Sequence, residues 1–491
     1  MTGIVLVKGE NTPTETLTCI AVTTGAKCLP ASQIPKCKGL VLHDCHAEIL
    51  AMRAFNFWLL SECHSVLEHE RVSFEEGQTN YPASPYVRRR QNTTETPNST
   101  PPFELHPDVK IYMYCTCAPC GDASMELTMA AQDDPTPWTI PVSPAATDPN
   151  ADPDTTRSTP QPLAGRADFS KLGIVRRKPA RADAESTKSK SCSDKIALNQ
   201  VSSLLSYQTS LLVAPTENAY IAGLILPEEE ITRVGFERCF GSEGRMKGLK
   251  GRRWPVMGEA GEGPGKESNG NGSQYGYEFR PFDILSIPTE ALKSLFPFRK
   301  PKASDPVPEG TTSKTSKPGN ISAIWVRAPM DWTPSKTATL SSPPTPIVAD
   351  NGSKNLPSLR GSRTGLFENI INGVRQGNRA SSPGLRGASA LSRAKLWNLL
   401  REITNSRSSG SLSGNETEEE RTLDLERAVP VSVLQASSYR KFKEHEELTA
   451  GIRARKSAIR GAKEVLEGWV PNSGDEEWGL EVLVDTKKRK R

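Results

Sequence analysis

Nowhere in the chain do 18 apolar residues run together, and the start, MTGIVLVKGE, lacks the basic segment and long apolar stretch of a targeting peptide. A soluble, intracellular protein is therefore expected. Aromatic residues make up only 6% and hydrophobic residues only 36% of the chain, with a mean hydropathy of -0.49. A chain of 491 residues with so little apolar material does not bury itself throughout, which points to one sizeable domain broken by disordered insertions. Ten cysteines are too sparse for a disulfide scaffold, and their clustering near His and Glu favours metal binding over cystine. A strong charge of one sign is also missing. The net +5 suits an acidic partner but falls short of a dedicated nucleic-acid binder.

What is present alternates strand-like and helix-like patterns. LTCIAVT reads as a strand and LHDCHAEILAMRAFNFWLL as a helix beginning near Asp44. VKIYMYCTC followed by PCGDASMELTMAA repeats that strand-turn-helix layout, and SCSDKIALNQVSSLLSYQTSLL opens a third helical unit near Ser191. SSYRKFKEHEELTAGIRARKSAIRGAKEVLEGWV carries an amphipathic helical pattern ending near Trp469. Low-complexity insertions are expected at about 78–108, 131–165, 258–276, 300–365 and 376–427, where Pro, Ser, Thr and Gly displace any periodicity, apart from LSRAKLWNLLREI. The whole of 1–491 reads as a single α/β domain.

His46 and Glu48 form H-x-E at a helix start, and Pro119-Cys120 stands at the head of the next helix, where the helix N-terminus would favour a thiolate. H-x-E followed by P-C-x-x-C is the zinc-deaminase signature, with metal-activated water as nucleophile and the Glu as proton shuttle. This chain has Ala123 where the second cysteine of that signature would fall. Two replacements remain open on spacing alone: Cys117, on the strand side of the turn, and Cys192, opening the third helix. Any one of these short motifs alone is more often an ordinary helix start, turn or small buried hydrophobe. Cys45, Cys63 and Cys115 are structural thiols, and so is Cys117 if Cys192 is the ligand.

HDCHAEI, CAPCGD and SKSCSDKIAL resemble the three zinc-site motifs of the eukaryotic RNA adenosine deaminases, and the similarity extends through TGAKC, LGIVRRKPARAD, MKGLKGRRWP and GWVPNSGDEEWG. The resemblance implies zinc on His46, Cys120 and Cys192, with Glu48 as the catalytic acid/base. It implies a cytidine-deaminase-like three-layer fold, a central mixed sheet flanked by helices, and hydrolytic conversion of adenosine to inosine. Only 45 residues precede His46, without a duplex-RNA-binding domain among them, so the likeness is to the tRNA-specific, fungal-type branch of the family. That implies the adenosine 3′ of the anticodon in alanine tRNA as target. Lys27, Arg176, Arg177 and Arg181 are the candidates for phosphate contacts. The family also buries inositol hexakisphosphate, and the matching positions here are Arg53, Lys195, Arg393, Tyr439, Lys443 and Trp469. A terminal KKRKR fits a nuclear signal or a solubilising tail, leaving nucleus and cytoplasm both open. An editor of duplex RNA or mRNA, or a non-catalytic zinc-containing RNA-binding protein, are the alternatives.

Overall fold

The computed structural model describes residues 1–75, 84–90, 101–131, 163–164, 170–178, 185–256, 275–295, 319–329, 365–405, 429, 431–445 and 449–484. Eight strands build the main sheet: β1 (Thr2–Lys8), β2 (Thr16–Thr23), β3 (Val109–Cys115), β4 (Ile221–Pro227), β5 (Asp283–Ile287), β6 (Ile321–Arg327), β7 (Gly365–Ile371) and β8 (Val374–Arg375). Their order is β5-β4-β3-β1-β2-β6-β7-β8. β3, β4 and β5 run parallel, and the other neighbours are antiparallel.

The pleat explains the buried face. In β3, Val109, Ile111, Met113 and Cys115 point inward while Lys110, Tyr112 and Tyr114 alternate outward. Register then lines up the inward residues, with Ile4 between Ala21 and Met113, and Met113 beside Leu224. α1 (Ala47–Glu75) packs against β1, β2 and β6, burying Leu50, Phe55, Trp58, Leu59 and Cys63. A helix apolar on so many sides belongs to the interior. α2 (Met125–Ala130) and α3 (Cys192–Ser202) lie in the crossover from β3 to β4, and α4 (Arg233–Phe240) lies in that from β4 to β5.

Several sequence expectations are corrected. The stretch expected as an insertion at 78–108 contains a hairpin, Val87–Arg89 paired with Phe103–Leu105, whose Tyr86, Val87, Phe103 and Leu105 are buried. The stretch 300–365 contains β6, a strand inside the sheet, and 376–427 begins with turns that bury Ala388, Ala390 and Leu391 ahead of α5 (Arg393–Asn405). A seven-residue strand such as ISAIWVR is swamped when composition is averaged over its Pro- and Ser-rich surroundings. Residues 132–162 and 257–274, which hold most of the other two insertions, lie outside the described residues, as do 91–100 and the KKRKR tail. The C-terminal amphipathic segment is two helices, α6 (Tyr439–Glu444) and α7 (Ala450–Val465), capped by Ser438 and Thr449. Trp397 of α5 stacks on Phe442, and Tyr439 on Trp478, tying this region together.

Because β6 is a core strand, Ile324→Ala should cost about 2–5 kcal/mol, read as a lower urea midpoint; an unchanged midpoint would mean that the strand contributes no core.

Candidate active site

A short antiparallel bridge pairs Asp44–His46 with Ala26–Cys28 and delivers His46 to the start of α1. Gly25 permits this closure: its φ is +144°, and a Cβ there would lie 2.1 Å from the Cys45 carbonyl oxygen. Thr23 Oγ1 then donates to the Ala47 carbonyl at 2.7 Å, and the Ala47 amide to the Gly25 carbonyl at 3.0 Å.

Cys120 does not begin a helix. A single 3-10 turn (Asp122–Ser124) and the six-residue α2 follow it, so the helix-terminus argument for its thiolate lapses. Cys192 does open its helix. In the SCSDK motif, Ser191 caps α3 by accepting from the Asp194 amide at 3.1 Å, and Ser193 Oγ reaches the carbonyls of Pro119 and Cys120 at 3.0 Å each. Asp194 accepts from buried Arg245 at 2.7 Å and from the Arg176 amide at 3.0 Å.

These contacts bring His46, Cys120 and Cys192 together, with ligand atoms all within 4.8 Å of one another. His46 Nδ1 is 3.8 Å from Cys120 Sγ and 3.6 Å from Cys192 Sγ. Tetrahedral zinc with ordinary Zn–N and Zn–S lengths would separate such atoms by roughly 3.6 Å, so the donor set and spacing fit that ion. Cys117 is exposed and is not in the group. Glu48 sits in the first turn of α1, buried, and among the described residues nothing hydrogen-bonds its side chain.

The electrostatics suit a thiolate site. Burial and Lys178 pull the His46 imidazolium down, but the Cys120 thiolate outweighs them and pushes it up to about 10. The bond from Cys192, with Lys178 and His46 behind it, holds Cys120 well below an ordinary thiol against the pull of burial. Lys178, which sequence reasoning passed over, is buried and donates to Cys192 Sγ at 3.2 Å and to Asp44 at 2.9 Å. Ser189 Oγ donates to the same carboxylate at 2.5 Å, Lys195 is ion-paired with it, and the His46 amide reaches it at 3.0 Å. Asp44, in HDCH, was a visible signal: a carboxylate two residues before a ligand.

Of the expected phosphate contacts, Lys27 is exposed and lines a cavity of about 440 Å³ with Cys28, Gln33, Asn372 and Arg379. Arg177 is half-buried, and Arg181 lies outside the described residues. Arg176 is corrected: it is fully buried, with its guanidinium on the Lys171 carbonyl, and so presents no charge to a ligand outside.

Behind the site, cations converge. Arg53, pulled down to about 10 by burial and Arg393, faces the group containing Lys443, which burial, Arg393 and Arg455 pull down to about 8. Lys443 is crowded by protein yet keeps an exposed side chain. The Tyr439 ring receives Arg393 and Lys443 at 5.9 Å each, and the Trp469 ring receives Lys190 at 5.8 Å and Lys463 at 5.6 Å. Arg393 has a carboxylate nearby, Asp475 at 3.5 Å, and Lys195 has Asp44, whereas Arg53, Lys443, Arg455 and Lys463 have no ion pair among the described residues. Lys190, Arg455 and Lys463 were not anticipated, because an amphipathic pattern accounts for helical cations equally well on a solvated face.

A mixed sheet with a His/Cys/Cys group at the heads of two helices, and a carboxylate one step into the first, defines a cytidine-deaminase-like α/β domain. Residues 21–250 match the adenosine-deaminase (editase) domain family. It is 36% identical over 232 residues to tRNA-specific adenosine deaminase 1 of Schizosaccharomyces pombe, covering 47% of this chain and 50% of that protein. The same-named protein of Saccharomyces cerevisiae is 35% identical over 225 residues, 45% of this chain and 49% of the relative. Double-stranded RNA-specific editase B2 of Mus musculus is 30% identical over 123 residues, 25% and 14% respectively. The match spans about half the length of the tRNA-specific relatives.

The crowded cations carry a pH signature. Lys443 binds its proton less readily folded than unfolded, so its penalty is complete below about pH 8 and is relieved as pH rises from there towards its ordinary value. Protein stripped of bound anions should therefore gain thermal stability between pH 8 and 10, and Lys443→Met should raise the midpoint at pH 7 and flatten that gain; a midpoint lowered by the substitution would count against this reading.

Proposed function

We propose that the protein hydrolyses adenosine to inosine in tRNA, at the adenosine 3′ of the anticodon of alanine tRNA. The observation that carries the reading is the meeting of His46, Cys120 and Cys192 beside buried Glu48 within an editase domain. The two fungal tRNA-specific relatives match over 232 and 225 residues, against 123 for the mouse duplex-RNA editase, which supports tRNA over duplex RNA as substrate.

In this reading His46, Cys120 and Cys192 hold zinc, which supplies Lewis-acid activation of a water for attack on C6 of adenine. Glu48 takes the proton from the nucleophile and passes it to the ring nitrogen and then to the leaving amine, so adenosine and water become inosine and ammonia. Lys178 neutralises part of the thiolate charge through its 3.2 Å bond to Cys192 and fixes the ligand's orientation. An unpaired loop base is extruded at modest unstacking cost, and exposed Lys27 would meet a phosphate.

The cluster of cations behind the site would take a polyanion, inositol hexakisphosphate on this reading. Arg53, Arg393, Tyr439, Lys443 and Trp469 would hold it together with Arg455 and Lys463, while Lys195 links that end to Asp44. The support is electrostatic: clustered cations of which only Arg393 and Lys195 have a carboxylate partner among the described residues are costly unless an anion neutralises them.

Sequencing alanine tRNA after incubation with purified protein should read inosine 3′ of the anticodon as an A-to-G change, and Glu48→Gln should abolish it. Elemental analysis should find one zinc per chain in wild type and Glu48→Gln, and none in Cys192→Ala. Inosine formed by Glu48→Gln at the wild-type rate would overturn the shuttle, and its absence with zinc-replete wild type would overturn the substrate. Mass spectrometry of the denatured protein should release inositol hexakisphosphate in stoichiometric amount, less of it from Arg455→Met; a protein released clean would reject the ligand.

A further inference from the structure

MKGLKGRRWP takes no part in the site described above. Its apolar residues pack inward, with Met246, Leu249 and Trp254 buried against Ala458 and Ala462 of α7. Gly461 makes room for this approach, since a Cβ there would meet the Trp254 ring at 2.7 Å. The cations of the motif are thereby turned outward: Lys247, Lys250, Arg252 and Arg253 are all exposed.

Two exposed arginines of α7, Arg453 and Arg460, extend the same surface. They are seven residues apart, which puts them on one helix face roughly 10 Å from each other. The Arg252 guanidinium lies 3.5 Å from where a Gly461 Cβ would be, so the motif and the helix present their charges side by side. Glu243 pairs with Lys250 and Glu278 with Arg253. Lys247, Arg252 and Arg460 have no ion pair among the described residues, although exposed Glu464 is close in sequence to Arg460. The result is a contiguous basic surface with unneutralised charge and no exposed large apolar side chain from the motif.

We propose that this surface binds the ribose-phosphate backbone of the substrate tRNA outside the loop that enters the active site, a proposal that rests on the tRNA reading above. Repeated, laterally placed Lys and Arg heads match the regular spacing of backbone charge, and such contacts set register and affinity without reading sequence. α7 also packs on α3, whose first residue is Cys192, so the surface and the site are carried by adjacent helices.

The test compares wild type with the double variant Lys247→Glu, Arg460→Glu on full-length alanine tRNA and on its isolated anticodon stem-loop. On full-length tRNA the variant should raise KM at least tenfold with kcat unchanged, and the slope of log KM against log salt should fall by about 2. KM for the stem-loop should stay within twofold of wild type. The milder Lys247→Gln, Arg460→Gln pair should give an intermediate shift, which a folding defect would not grade in this way. Equal KM values for wild type and variant on full-length tRNA would overturn the proposal, as would an equal rise on both substrates. If the variant instead loses only its binding to anionic vesicles, the surface serves a membrane and the proposal fails. Should wild type deaminate neither RNA, filter binding of labelled full-length tRNA decides the surface independently: a tenfold weaker Kd for the variant upholds it, and an unchanged Kd rejects it.

Discussion

Asp44 is a carboxylate carried into the protein interior, and the centre is assembled around the groups that neutralise it. Lys178 reaches it from the segment before α3, Lys195 from α3 itself, Ser189 from the loop between, and the His46 amide from its own chain. Removing one partner from such a buried cluster leaves a charge without compensation, a cost of about 3–5 kcal/mol. The cluster thus fixes the distance between the His46 bridge and the head of α3. Lys178 spans both, touching Asp44 and Cys192 at once.

A second layer of constraint works through small polar residues rather than charge. Gly121, at φ +108°, lets the turn after β3 press against Ser191, where a Cβ would lie 2.2 Å from its hydroxyl. Ser193 ties the same turn to α3, and Arg245 locks Asp194 from behind. Positions of this kind fix where the His46, Cys120 and Cys192 side chains meet.

The charge balance differs sharply between the two ends of α3. Around Asp44 positive and negative groups match, whereas burial depresses the proton affinity of Arg53, Lys443 and Arg455, with Arg393 adding to it at Arg53 and Lys443. Lys195 stands at the junction. Its ammonium belongs to the Asp44 cluster.

Much was legible from residues alone because it depends on local order. H-x-E, the P-C turn and S-C-S-D-K carry their meaning within a few residues, and the alternation in VKIYMYC specifies a strand whatever surrounds it. β6 was not legible, since a strand of seven residues between long Pro- and Ser-rich stretches acquires its stability only by pairing with β2 and β7. Spacing alone left Cys117 and Cys192 open and the resemblance favoured Cys192; the two differ by where the chain returns, and packing of α3 against the Cys120 turn brings Cys192 to 3.6 Å from His46. Arg176 and Lys178, two positions apart, make the same point. Sequence shows both as basic, while burial turns one into a structural contact with the Lys171 carbonyl and the other into the link between Asp44 and Cys192. Residue types and short spacings therefore determined the chemistry available to this chain, and long-range packing, which alone decides what is buried beside what, determined which side chains perform it.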